Sequence, residues 1–172
     1  MRLAKVFTRA LVGINAPEVS VEVHISSGLP ALSIVGLPEA AVRESKDRVR
    51  AAIQNSQFEF PYRRIIVNLA PAELHKQGGR FDLPIALGLL VASNQLNASA
   101  VKGYEFLGEL GLNGELHKTT GILPAAYACH MQGSTLMTSA ENEHDLIPIH
   151  HAEFFCAKHL LEVCAHLNKV KP

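Results

Sequence analysis

The stretch Arg64-Ile65-Ile66-Val67-Asn68-Leu69-Ala70-Pro71-Ala72-Glu73-Leu74-His75-Lys76-Gln77-Gly78-Gly79-Arg80-Phe81-Asp82-Leu83-Pro84-Ile85-Ala86-Leu87 decides the fold. Residues 65–69 form a short apolar run with β-branched side chains, which suits a strand covered on both faces. Gly78-Gly79 allows backbone angles closed to other residues, so a charged loop can turn tightly after the strand. Asp82 is a good helix N-cap, and Pro84 fits the first helical turn, whose N–H groups lack intrahelical partners. Residues 85–92 are apolar on nearly every side of a helix, so that helix belongs in a core.

On the amino-terminal side, residues 3–14 and 19–25 predict two paired strands around Asn15-Ala16-Pro17. The second alternates Val19, Val21, Val23 and Ile25 with polar residues. Residues 31–35 predict a third strand. Gly36-Leu37-Pro38 then opens a helix to about Asn55, with a core stripe of Val42, Ser45, Val49, Ala52 and Ile53. Glu39/Arg43 and Glu44/Arg48 are i,i+4 pairs on it. On the carboxyl side, residues 104–110 predict a strand and Asn113-Gly114 a hairpin turn into 115–118. Thr119 or Thr120 should cap a helix that ends before Gly133. A strand at 134–137, a brief helix from Ser139 to about Asp145, a strand at 153–157 and a last helix with Leu160, Val163, Cys164 and Leu167 on one face complete the pattern. A strand meander followed by alternating strands and helices implies an α+β fold, a mixed sheet with packed helices.

With 172 residues and 48% hydrophobic content, the chain can bury one substantial core and is read as a single domain. Sixteen Lys+Arg balance sixteen Asp+Glu. Net charge therefore predicts no nucleic-acid or membrane partner, and any such contact must come from a local patch. The three cysteines, Cys129, Cys156 and Cys164, have no paired spacing and are read as buried reduced thiols. The amino terminus lacks a signal-peptide core, and no apolar run approaches the roughly 20 residues of a membrane span. A soluble cytoplasmic protein with no membrane partner is expected.

No Gly-x-x-x-x-Gly-Lys-Ser/Thr loop, Gly-x-Ser-x-Gly, His-Glu-x-x-His or Cys-x-x-Cys motif is present. ATP hydrolysis by the P-loop route is therefore not expected of this chain. His144, His150 and His151 carry no supporting carboxylate spacing, so no metal site is expected.

Three motifs, Val35-Gly36-Leu37-Pro38-Glu39-Ala40-Ala41-Val42-Arg43-Glu44-Ser45, Val67-Asn68-Leu69-Ala70-Pro71-Ala72 and Arg80-Phe81-Asp82-Leu83-Pro84-Ile85-Ala86-Leu87, closely resemble the amino-terminal domain of the ComM/YifB family. These are magnesium-chelatase-like AAA+ ATPases. The resemblance covers residues 1–167 and implies that 168–172 begin a linker to an absent AAA+ module. ATP and magnesium would belong to that module, and no cofactor to this chain. It further implies a hexameric homo-oligomer acting on DNA as a branch-migration helicase in recombination and natural transformation. The chain's own AAA+ module, its other copies and DNA are then the expected partners.

That family domain is similar in turn to the proteolytic domain of Lon and the Lon-like domain of RadA. Both have the ribosomal-protein-S5-domain-2-like fold. Residues 76–82 resemble Lon's Lys-Asp-Gly-Pro-Ser-Ala-Gly loop, 108–110 through 120–123 its Gly-Glu-Ile through Gly-Gly-Leu-Lys segment, and 142–146 its Asn-Glu-x-Asp-Leu. Lon-type peptidases pair a serine with a neutral lysine. The resemblance places Arg80 at the serine and Leu123 at the lysine. A guanidinium stays protonated and Leu123 offers no base, so no catalytic residue is expected.

Arg80 then has two readings. It contacts phosphate, DNA or an acidic partner on the Gly78-Gly79 loop with help from Lys76, or it forms an internal ion pair with Asp82, Glu73 or Glu109. Arg43, Lys46 and Arg50 share a helical face that Arg63 and Arg64 extend, which makes either a DNA-contacting stripe or a solvated face paired with Glu39, Glu44 and Asp47. No aromatic residue interleaves with this stripe, which argues against a single-strand groove. The functional alternatives are a non-catalytic accessory domain and a hydrolase rebuilt around Lys76, Glu73 and His75.

Overall fold

The computed structural model describes residues 2–149 and 151–169. Strands β1 (Arg2–Arg9) and β2 (Glu18–Ser26) run antiparallel, with Val6 opposite Val21. β3 (Ala31–Val35) leads to two short helices, α1 (Ala40–Arg43) and α2 (Ser45–Asn55). β4 (Arg64–Ala70) then enters between β2 and β3, giving the order β1-β2-β4-β3. It is antiparallel to β2 and parallel to β3, so the sheet is mixed, as the alternation of strands and helices implies.

The buried face of this sheet carries Val6, Val19, Val21, Val23, Ile25, Ile65, Val67 and Leu69, and α3 (Asp82–Ala92) lies across it. All eleven residues of α3 are buried, as its unbroken apolar pattern requires. Gly88 lets the helix sit close, because a Cβ there would lie 2.7 Å from Val23 Cγ2. Only this face is fully covered. Ile66, Asn68 and Ala70 on the other side of β4 are half-buried, which corrects the expectation of a strand enclosed on both faces.

The second half forms a parallel sheet β5-β8-β9 from β5 (Tyr104–Phe106), β8 (Thr135–Ser139) and β9 (Phe154–Ala157). A two-stranded ribbon joins β6 (Glu109–Leu110) to β7 (Leu116–His117) through the Asn113-Gly114 turn. Helix α4 (Ile122–Met131) and a 3₁₀ segment (Ala140–Ile149) enclose a smaller apolar cluster with Leu107, Leu136 and Leu146. Helix α5 (Leu160–Lys169) returns Leu160, Val163, Cys164 and Leu167 to the main core.

Several boundaries differ from the sequence reading, each for a visible reason. β1 stops at Arg9, because 10–17 fold back on themselves through the Val12–Asn15 bridge and the Ala10 N–H bond to the Pro17 carbonyl. Residues 36–39 stay outside α1: Gly36 and Leu37 bend at φ +105° and +62°, and Pro38 then bridges to Lys76. The strand expected over 104–110 splits where Gly108 gives its N–H to the Arg80 carbonyl and accepts from Leu83 N–H. Neither Thr119 nor Thr120 caps α4; Thr119 N–H goes to Asn142 Oδ1, and Gly121 at φ +67° holds the cap position instead. α5 runs to Lys169, two residues past the expected domain end, and Val170–Pro172 of the expected linker lie outside the described residues.

Candidate functional site

The loop from Pro71 to Phe81 joins β4 to α3 and is held from inside by Lys76. This side chain is fully buried, and its ammonium donates to the Gly36 carbonyl at 2.6 Å and to the Pro71 carbonyl. Burial pulls the Lys76 pKa below the usual lysine range, with Glu73 opposing the shift. The Lys76 carbonyl accepts from Glu39 N–H at 3.1 Å, and Gly78 N–H donates to Glu39 Oε1 at 3.0 Å. Glu39 thus spends its carboxylate on the glycine loop rather than on Arg43. Gly78 takes φ +75°, and a Cβ on Gly79 would lie 2.6 Å from Glu109 Oε2. The paired glycines let the loop turn and pass against that carboxylate.

Arg80 follows, 8% exposed. Its Nη2 donates to the Thr120 carbonyl at 2.6 Å, its own carbonyl accepts from Gly108, and its Nη1 is buried without a partner. Burial lowers its pKa. Among the described residues no carboxylate lies within 4 Å of it, so the ion pair with Asp82, Glu73 or Glu109 does not form. The bond to Thr120 brings the glycine loop against the segment before α4.

Between them lies a cleft of about 350 Å³ lined by Leu11, Gly79, Arg80, Glu109, Lys118 and Thr119, among others. The Thr119 hydroxyl, like Arg80 Nη1, is buried without a partner. A hydroxyl with no base bonded to it is not an activated nucleophile. Lys118 sits 3.5 Å from Asp145, and Leu123 is 38% exposed on α4. The cleft thus presents two buried polar atoms without partners, and among the described residues no nucleophile–base hydrogen bond is formed in it. Of Lys76, Glu73 and His75, the Lys76 ammonium faces carbonyls with Glu73 near enough to act on its charge, and His75 Nδ1 meets Gln77 Nε2 at 3.2 Å.

Asp82 is not the N-cap of α3. Phe81 occupies that position, and Asp82 is the first helical residue, fully buried. Its carboxylate takes Arg48 Nε at 2.7 Å, Leu110 N–H at 3.0 Å and the Ser45 hydroxyl. A second buried pair, absent from the sequence reading, joins Arg9 Nε to Glu105 Oε1 at 2.6 Å, with Arg9 also bonding the Ala16 carbonyl and Gln132. A lone Arg at a strand end carries no signal that its partner lies 96 residues away.

The remaining basic candidates lie elsewhere on the surface. Arg43, Arg50, Arg63 and Arg64 are exposed and Lys46 is half-buried. Arg50 stacks over Phe60, its Cζ 4.8 Å from the ring centroid, and Arg63 lines the same depression with Tyr62. Aromatic side chains therefore do meet this basic face. They come from 58–62, downstream of the helix, where helical spacing could not show them. Lys76 and Arg80 do not join it: Lys76 is enclosed, which corrects its reading as a surface contact, and Arg80 belongs to the cleft.

The three cysteines are free, with Cys129 and Cys164 buried. Among the described residues no group of three or more His, Cys, Asp or Glu side chains could hold a metal ion, and His150 lies outside them. No helix among them is long and apolar enough to cross a membrane.

An α+β domain with an arginine in its glycine-loop cleft matches, over residues 21–142, the family model described as subunit ChlI of Mg-chelatase, and the chain belongs to that family. It is 50% identical over 168 residues to uncharacterized protein YifB of Salmonella typhimurium, 47% to competence protein ComM of Haemophilus influenzae and 48% to YifB of Escherichia coli. Each match covers 98% of this chain and 33% of the relative, so the chain spans about a third of the length of these curated relatives. The resemblance to ComM/YifB proteins thus holds over nearly the whole sequence.

Proposed function

We propose that this chain is the non-catalytic amino-terminal domain of a hexameric AAA+ DNA motor, a branch-migration helicase of recombination and natural transformation. Its role is to help DNA engagement and ring assembly in the cytoplasm. The observation that carries the reading is the 47% identity to a competence protein over 98% of the chain. ATP and magnesium would act in an AAA+ module following the linker, and the domain would have the Lon-like, S5-domain-2-like fold. Arg80 is the residue that supports the loss of chemistry. By the resemblance it takes the place of the Lon serine, with Leu123 in place of the lysine, and its guanidinium bonds the Thr120 carbonyl.

Steady-state assays of the chain with ATP and with unfolded casein test the absence of catalysis, and no turnover is expected. Turnover that Arg80→Ala or Glu109→Gln abolishes would return the cleft to enzymology. Fluorescence anisotropy with branched and linear duplex across a salt series tests DNA engagement. With net charge zero, binding should be weak, insensitive to sequence and steeply salt-dependent, the ring multiplying weak contacts.

A further inference from the structure

We propose that the segment 58–63 and the residues around it form a binding surface for single-stranded nucleic acid, with Tyr62 as the stacking platform and Arg2, Arg50 and Arg63 as the phosphate contacts. The proposal rests on the DNA-directed reading above and specifies its ligand. Two adjoining depressions meet at Gln54, Phe60, Pro61, Tyr62 and Arg63; Arg2 lines one of them and Arg50 the other. Tyr62 is 85% exposed, so its ring is open to a ligand. Three cations face one acid, Glu59, so the surface is locally positive on a chain of zero net charge.

The surface is also held in shape before any ligand arrives. Gln95 clamps Glu59 at both ends of its amide: Glu59 N–H donates to Gln95 Oε1 at 2.8 Å, and Gln95 Nε2 donates to the Glu59 carbonyl at 2.7 Å. Arg50 lies over Phe60, and the Arg63 carbonyl accepts from Ala31 N–H at 3.3 Å. Pro61 restricts the backbone just before Tyr62. A rigid segment presenting an exposed ring between arginines costs little to order on binding. An exposed ring can stack only on a base free of its own neighbours, which a single strand supplies and an intact duplex does not.

The test uses the 172-residue chain and a fluorescein-labelled oligothymidylate of about 15 nucleotides, beside a duplex of equal length. The oligothymidylate should bind more tightly than the duplex. Tyr62→Ala should weaken it by roughly 5- to 100-fold and Tyr62→Phe should not, because a phenyl ring still stacks. Arg2→Gln, Arg50→Gln and Arg63→Gln should each flatten the logarithmic salt dependence by about 0.7. The chain has three tyrosines and no tryptophan, so stacking should also quench tyrosine fluorescence, and Tyr62→Phe should remove that quench. If Tyr62→Ala binds oligothymidylate like wild type while duplex or branched DNA still binds, the single-strand surface is wrong and the DNA role stands. If no DNA binds even at low salt, both fall.

Discussion

The Asp82 carboxylate grips the Arg48 guanidinium with both oxygens, at 2.7 Å from Nε and 3.2 Å from Nη2. The first residue of the buried helix α3 is thereby tied to the first turn of α2, and Leu110 N–H adds β6 to the same knot. Burial pushes the Asp82 carboxyl above its ordinary range, against the pull of Arg48 and Ser45, while Asp82 holds Arg48 above its own.

Asp82→Ala should therefore cost about 3–5 kcal/mol, because it strands a partly buried guanidinium and an amide that lose their acceptor. Loss of a simple helix cap would cost about 1 kcal/mol. Urea melts separate the two. Leu87→Ala in the same assay should cost about 2–5 kcal/mol, as expected of a fully buried leucine.

Gly36 and Gly79 should respond very differently to alanine. At Gly36 the backbone has φ +105°, and a Cβ would lie 2.1 Å from the Leu69 carbonyl oxygen, a rigid part of β4. At Gly79 the new methyl would meet the end of the Glu109 side chain, which can swing aside. Gly36→Ala should leave little folded protein by circular dichroism, whereas Gly79→Ala should fold and alter only the cleft.

Lys76→Met distinguishes an internal staple from a DNA contact. Removing the ammonium leaves the Gly36 and Pro71 carbonyls without their donor, at about 1–3 kcal/mol for each one left unsatisfied. The salt dependence of DNA binding should stay unchanged. A flatter salt slope with unaltered stability would show that the ammonium reaches phosphate.

The thiols give the chain an alkaline weakness. Burial pushes Cys164 up to about 12 and Cys156 to about 11, with Glu143 adding to Cys156, and raises Cys129 further. Above pH about 9 the unfolded chain loses thiol protons that the folded chain keeps. This contribution is complete below about pH 9 and is lost as the pH rises through the folded values. Lys76, lowered from 10.5, has the opposite sign and partly offsets the loss up to that pH. Cys164→Ala should reduce the slope of urea midpoint against pH above 9. Reaction with a thiol reagent at pH 8 should be slow until the chain is unfolded.

Periodicity made the architecture legible. Alternation exposed the buried face of β2, the apolar run exposed α3, and Leu160, Val163, Cys164 and Leu167 exposed the inner face of α5. What it could not show were polar side chains whose partners are distant in the chain. Asp82 has the form of a cap because capping is the commonest local use of an aspartate at a helix start, yet its partner is Arg48, 34 residues earlier. Lys76 reads as solvent-facing because lysine is almost never fully buried, and only the folded loop reveals the two carbonyls that take it inside. The glycine loop and Arg80 were legible as a candidate, while Thr119 and Leu11 join them in the cleft only through tertiary packing.

The Gln95 clamp has a mechanical side. Gln95 lies three residues beyond the end of α3, and its two amide bonds to Glu59 run in parallel with the covalent path through β4. A pull on the 58–63 segment is therefore shared between two anchors, the strand and the buried helix. Both are seated in the same core, so tension on that edge is carried by the whole main layer of the molecule and not by one peeling strand.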